Sequence, residues 1–165
     1  MFGGLPGVGK SRIAEGLASR LEAVVVSVDP IEAAMVRSGI PMSFETGLAA
    51  YAIGGVVAAA QLANGLTVIA DAANYLEVGR AIWRAAAVET GSAIKAIAVV
   101  CSDETLHRRR LESRHRALVG YPEPSWEQVE HQKRETEPWT CDVLTLDTIR
   151  PVHELVELAV DYVKA

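Results

Sequence analysis

An open α/β fold with a mostly parallel sheet is predicted by three observations. Short apolar runs rich in β-branched residues alternate with segments of helical periodicity along the whole chain. Those runs are apolar at every position rather than every second one, as in strands covered by helices on both faces. The chain also opens on Gly4-Leu5-Pro6-Gly7-Val8-Gly9-Lys10-Ser11, a complete G-x-x-x-x-G-K-[ST] phosphate-binding loop, which belongs between a strand and a helix. At 165 residues the chain is read as one domain over residues 1–165, without internal repeats or low-complexity segments.

The elements follow in order. Only Met1, Phe2 and Gly3 precede the loop, whereas a strand usually runs about five or six residues. The first strand is therefore expected to be truncated, with the natural chain extending upstream. Ile13, Ala14, Leu17, Ala18 and Leu21 mark one face of a helix over 10–21, and a strand is expected over 23–28. Asp29 as cap, Pro30 in first place and Glu32 in third start a helix over 30–38. A helix over 46–63 and a strand over 66–70 come next. Asn74 and Glu77 stand at capping-box spacing before a helix over 76–90, ahead of a strand over 93–100. Asp103 reads as the cap of a helix over 105–114. The irregular stretch 114–124, with Gly120, Pro122 and Pro124, reads as a mobile loop. Ser125 and Gln128 open a helix over 126–135 at capping-box spacing, and a strand over 143–146 and a helix over 152–163 complete the chain.

Composition narrows the function classes. Half the residues are apolar and 22% are charged, an ordinary balance for a soluble domain. The net charge of −5 argues against a nucleic-acid partner, whose affinity rests on phosphate contacts. No charge occurs between Glu45 and Asp71, but Asn64-Gly65 breaks that run short of a bilayer span. No membrane is implied, and a buried helix followed by a buried strand is expected there. Cys101 and Cys141 are isolated, which points to a reducing cytoplasm. His107, His115, His131 and His153 lack metal-ligand spacing and are expected on surfaces or helix faces, while Trp83, Trp126 and Trp139 read as packing residues.

The chemistry gathers where parallel strands end, since ligands bind beyond their carboxyl ends. In the loop, glycines let backbone N–H groups turn around a phosphate, and the following helix adds its positive terminus. Lys10 reaches the β- and γ-phosphates of a nucleoside triphosphate, and the Ser11 hydroxyl takes a Mg²⁺ position. Asp29 is a candidate base for an acceptor hydroxyl as well as a helix cap, and Arg37 a candidate acceptor ligand or a solvated arginine. Asp71 is a candidate metal partner of Ser11, or an acceptor ligand. Arg110 and Arg114, four apart, share one helix face and suit stabilisation of a migrating phosphoryl group. Arg108 and Arg109 read as solvated, and Arg116 adds to the same basic cluster. An RNA-binding patch is the other reading of these arginines, weakened by the lack of interleaved aromatics. Asn74 reads as a cap, and Glu137-Pro138-Trp139 as a stretch open to the acceptor side.

With these residues placed, the chain resembles the small P-loop kinases related to chloramphenicol phosphotransferase, gluconate kinase and polynucleotide kinase, within the AAA-type bacterial kinases. The resemblance rests on the loop, Val26-Ser27-Val28-Asp29, Asp71-Ala72-Ala73-Asn74 with Arg80, Arg110-Leu111-Glu112-Ser113-Arg114, and the stretch from Trp126 to Trp139. It implies a three-layer P-loop NTPase fold with sheet order 2-3-1-4-5 and an arginine-bearing lid over about 114–138. It implies ATP and Mg²⁺ as cofactors, with γ-phosphoryl transfer to a hydroxyl of a small molecule held near Asp29; Arg80 joins Arg37 and Asp71 as a candidate acceptor ligand. The adenine is then expected near Thr148 and Pro151, with Arg110 on the nucleotide. The alternatives are a polynucleotide 5′-hydroxyl kinase and a non-catalytic ATP-binding regulator. No N-K-x-D guanine-recognition stretch occurs, which argues against a GTPase.

Overall fold

Five parallel strands lie in the order β2-β3-β1-β4-β5, as the resemblance implied. The structure is a computed structural model that describes residues 1–114 and 121–165; Arg116 and the expected lid positions 115–120 lie outside the described residues. The strands are β1 (Phe2–Gly3), β2 (Val24–Ser27), β3 (Val68–Asp71), β4 (Ala96–Val100) and β5 (Val143–Asp147). The helices are α1 (Lys10–Leu21), α2 (Val28–Arg37), α3 (Phe44–Ala63), α4 (Glu77–Glu89), α5 (Glu104–Glu112), α6 (Trp126–Glu135) and α7 (Val152–Lys164).

The central strand is as short as expected, yet it is fully integrated. Phe2 pairs with Asp71 on one side and Ile97 on the other, and its ring is buried. Register then decides where the site forms. Ser27 stands opposite Asp71 at the ends of β2 and β3, and Asp147 stands opposite Val100 at the ends of β4 and β5. Every one of these chain ends therefore faces the same edge of the sheet.

Two apolar layers hold the sheet between helices. Ile13, Ala14 and Leu17 of α1 meet Leu155, Ala159 and Val160 of α7 over one sheet face. Ala50 and Ala58 of α3 and Trp83 of α4 close the other over Val26 and Ala70.

Three local expectations are corrected. First, α2 begins at Val28, so Asp29 lies inside the first helical turn and Ser27 holds the N-cap position. Pro30 tolerates third place because the N–H it lacks has no partner that early in a helix. Second, α3 is not a buried helix. It packs between α2 and α4 through Thr46, Ala50, Gly54, Gly55 and Ala58, while Ile53, Val56 and Val57 face outward. Third, Asn74 does not cap α4. It adopts a left-handed φ of 50° and is buried, its Nδ2 donating to the Phe2 carbonyl and its Oδ1 accepting from Trp83 Nε1 at 3.0 Å. Capping of α4 comes from far away in sequence, because the Glu137 carboxylate accepts the Glu77 backbone N–H. The capping box of Ser125 and Gln128 and the Asp103 cap both form as expected.

Candidate active site

The phosphate loop is shaped by contacts to its outside. Gly4 donates to the Ala73 carbonyl at 2.9 Å, anchoring the loop to the end of β3. A Cβ on Gly4 would lie 2.4 Å from the Val99 carbonyl oxygen, a backbone atom that cannot swing aside. Gly4→Ala is therefore expected to displace the loop and weaken ATP binding by more than tenfold, measured by titration with a fluorescent ATP analogue. Two loop carbonyls are held away from the cradle. His107 Nε2 bonds the Pro6 oxygen at 2.8 Å, and the Thr148 hydroxyl donates to the Val8 oxygen at 2.7 Å. Gly9, at φ 96°, turns the chain into α1, which begins at Lys10 with no side-chain cap and no acidic residue in its first turn. That helix terminus presents its N–H groups and partial positive charge to an anion.

At the floor of the loop, buried Asp71 organises the cation sites. Lys10 Nζ lies 3.3 Å from its Oδ1, Ser11 Oγ donates to its Oδ2 at 3.1 Å, and Ser27 Oγ approaches the same oxygen at 3.4 Å. Lys10 as a residue is only 8% exposed. A hydroxyl and a carboxylate side by side form a hard oxygen pair, which fits Mg²⁺ held jointly with nucleotide phosphates. Among the described residues no cluster of three or more His, Cys, Asp or Glu forms a self-sufficient metal cage. A Mg²⁺ ion keeps several waters and takes few protein ligands, so the pair suffices.

A cavity of about 410 Å³ opens beside the loop. Pro6, Asp29, Glu32, Tyr51, Tyr75 and Glu123 are among its walls. Asp29 enters from the first turn of α2, where the helix terminus favours a carboxylate. Tyr121 reaches across to α2, its hydroxyl donating to Glu32 Oε2 at 2.9 Å. Burial, reinforced by Asp29 and neighbouring groups, raises the Tyr51 hydroxyl well above the usual phenol range and keeps it neutral.

Arg110 and Arg114 do not share a helix face as expected, because α5 ends at Glu112 and Arg114 lies beyond its Ser113 C-cap. Arg110 Nη1 donates to the Thr148 hydroxyl at 2.8 Å and Nη2 to the Thr148 carbonyl at 3.1 Å, on the side of the loop away from Asp29. Arg114 Nε lies 3.9 Å from a carboxylate oxygen of Glu123, at the rim of the acceptor cavity. Asp147 closes the nucleotide side, its Oδ1 accepting the N–H groups of Ser102 and Ile149. Burial pushes that carboxyl up, but these bonds and Arg110 outweigh it and hold it below the usual range.

Two expected acceptor ligands are not brought to the cavity. Arg37 sits exposed in the last turn of α2, at the opposite end of the helix from Asp29, and does not line the cavity. Arg80 is fully buried and bound entirely within the protein. Its Nε donates to the Asn74 carbonyl (2.9 Å), Nη1 to Pro138 (2.7 Å), and Nη2 to both Tyr75 (2.9 Å) and Glu137. Its guanidinium also lies 4.4 Å from the centre of the Trp139 ring. Arg80 thus staples the chain after α6 to the loop after β3, and Glu137-Pro138-Trp139 serves this staple. Arg80→Met would leave several carbonyls without donors, and a loss of about 3 kcal/mol in urea unfolding is expected. A change below 0.5 kcal/mol, roughly the scale of an ordinary surface substitution, would rule the staple out.

His107 is the residue that sequence reasoning missed. It is buried, stacks edge-on against Trp126 with ring centroids 5.0 Å apart, and ties α5 to the phosphate loop. Its only signal was a spacing of four from Leu111, whose side chain packs against the same loop beside Gly7.

A phosphate loop, an acid at the end of the neighbouring strand and a bordering cavity define the P-loop class of nucleotide-binding proteins. The chain belongs to the AAA domain family, whose model matches residues 1–139. No curated protein matches it in sequence. A sugar kinase from Janibacter sp. HTCC2649 superposes with a TM-score of 0.75 at 19% identity, covering 99% of this chain and 92% of its own. The APS kinase of Mycobacterium tuberculosis, solved with AMPPNP and APS, gives 0.72 at 20% identity, with 99% and 95% covered. A gluconokinase from Sinorhizobium meliloti 1021 gives 0.69 at 20% identity, with 96% and 86% covered. The fold is therefore that of the small-molecule P-loop kinases.

Proposed function

We propose that this protein is an ATP- and Mg²⁺-dependent phosphotransferase that moves the γ-phosphoryl group of ATP to a hydroxyl of a small molecule. The observation that carries this reading is the position of Asp29, in the wall of a cavity it shares with Pro6 of the phosphate loop. A hydroxyl held there lies between a carboxylate that accepts its proton and the loop that presents the phosphoryl group. Similarity to an APS kinase solved with the ATP analogue AMPPNP supports ATP as donor.

The residues divide the work as follows. The loop N–H groups and the α1 terminus bind phosphates, and Lys10 neutralises charge on the migrating group. Ser11 and Asp71 would hold Mg²⁺, which would supply charge neutralisation to the phosphates. Asp29 orients the acceptor hydroxyl and takes its proton as the new P–O bond forms. Arg110 and Thr148 frame the nucleotide side, and Arg114 stands at the rim for charge stabilisation. Exclusion of water from the cavity would suppress hydrolysis, in which water competes as acceptor. The free thiols Cys101 and Cys141 suit a cytoplasmic setting.

Asp71→Asn keeps the shape of the pair but weakens its charge. We expect at least a tenfold rise in the Mg²⁺ concentration for half-maximal activity. An unchanged Mg²⁺ dependence would remove Asp71 from the metal.

The general test is incorporation of labelled γ-phosphate into a panel of hydroxyl compounds, with oligonucleotides included. A labelled small molecule is the expected product. Preferential labelling of oligonucleotides, with a steep salt dependence, would favour the polynucleotide reading. Tight ATP binding with no transfer to any acceptor would favour a regulator.

A further inference from the structure

Within the phosphotransferase reading, on which this rests, we propose that His107 and Thr148 are positioning residues. They turn the Gly7 and Gly9 N–H groups toward the nucleotide phosphates. A trans peptide points its C=O and the N–H of the next residue in opposite directions. The Pro6 oxygen and the Gly7 N–H share one such peptide, and the Val8 oxygen and the Gly9 N–H share another, both trans. Holding each oxygen outside the loop therefore directs its paired N–H inward. If either peptide turned over, a carbonyl oxygen would face the phosphates in place of a donor, and its partial negative charge would oppose their binding.

Both holding groups come from far along the chain. His107 lies 101 residues from Pro6, and Thr148 lies 140 residues from Val8. The Pro6 oxygen can only accept, so the His107 Nε2 that lies 2.8 Å away carries the proton. The edge-on contact with Trp126 sets the plane of that ring. Helix α5 rests directly on the peptide: a Cβ on Gly7 would stand 3.0 Å from Leu111 Cβ and 3.3 Å from His107 Cδ2. Thr148 has one hydroxyl proton and several polar neighbours. Arg110 Nη1 donates to its oxygen, and the Val100 oxygen, 3.1 Å away, already accepts the Thr148 N–H at 2.9 Å. The hydroxyl proton is left for the Val8 oxygen, 2.7 Å away. Both loop peptides thus depend on α5, one through His107 directly and the other through Arg110, which braces Thr148.

Matched substitutions separate the donor from the packing. His107→Phe keeps a ring against Trp126 but has no N–H, whereas His107→Gln loses the ring and keeps an Nε2 donor. Thr148→Val keeps the shape without the hydroxyl, and Thr148→Ser keeps the hydroxyl with less bulk. Binding of ADP in excess Mg²⁺ is measured by calorimetry on the full chain, with the thermal transition as a check of folding. Transfer of γ-phosphoryl from ATP is measured separately. His107→Phe and Thr148→Val should each weaken ADP binding about tenfold or more, the scale of one hydrogen bond to a charged group. His107→Gln and Thr148→Ser should stay within about threefold of the wild type, near the effect of an ordinary mild substitution. A packing role at His107 predicts the reverse ranking. Equal losses, or a reversed ranking, in either pair overturn the proposal. Should His107→Phe not fold, the nearly isosteric Thr148 pair decides alone. The expected ranking without transfer to any acceptor upholds the positioning roles and overturns the kinase reading. Transfer by the wild type, with all four variants binding ADP alike, does the opposite. A wild type that binds no ADP overturns both.

Discussion

Lys10→Ala is expected to reduce kcat/KM for phosphoryl transfer by roughly a thousandfold or more, the upper range for removing one preorganised electrostatic group. The Lys10 side chain is buried beside Asp71, where charge interactions are screened far less than in water. As the phosphoryl group leaves ADP, charge spreads over its oxygens, and Lys10 is the described cation set deepest in the loop floor. The same substitution strips Asp71 of its ion-pair partner, so the protein must be shown to remain folded by its thermal transition. ATP titration separates the two effects: the variant should still bind nucleotide through the loop N–H groups, with weakened affinity. A folded Lys10→Ala protein that retains a tenth of its turnover would disprove the role.

The next largest effect is expected from Asp29→Asn. The amide keeps size and hydrogen-bonding reach but takes no proton, and kcat should fall by about 10²- to 10⁴-fold. The KM for ATP should change little, because Asp29 lies on the acceptor side of the loop. A purely structural carboxylate predicts something different. In the first turn of α2 it would contribute only its interaction with the helix terminus, about 0.3–1 kcal/mol of stability. A variant slightly less stable but with full kcat would identify that structural role and exclude the base.

Phosphate-loop chemistry is local, and it was legible because one turn and one helix start build it from consecutive residues. Lys10, Ser11 and the glycines fall where spacing places them. Asp71 was legible too, since it closes an apolar strand, and the end of a strand in a parallel sheet is a ligand edge. Helix boundaries were less so. Both α2 and α4 start where backbone geometry and distant partners dictate rather than at Asp29 or Asn74. At Glu77 the cap is Glu137, 60 residues away.

Arg80 and His107 show the limit most clearly. Arg80 enters as an acceptor ligand only through the family resemblance. Whether its guanidinium meets solvent or four backbone carbonyls depends on segments that only folding brings together. His107 has the opposite history, a lone histidine with no motif whose value comes from the Pro6 carbonyl, 101 residues away.

The sequence by itself determined the parallel α/β class, the phosphate loop and the strand-end acids, because each depends on periodicity or spacing within a few residues. Only the tertiary structure decided that Arg110 serves Thr148 while Arg114 meets Glu123. It alone gathered Asp29, Glu32 and Glu123 around one cavity and turned Arg37 and Arg80 away from it. Those outcomes depend on strand order and register, which bring distant segments together and leave no periodic trace in the chain.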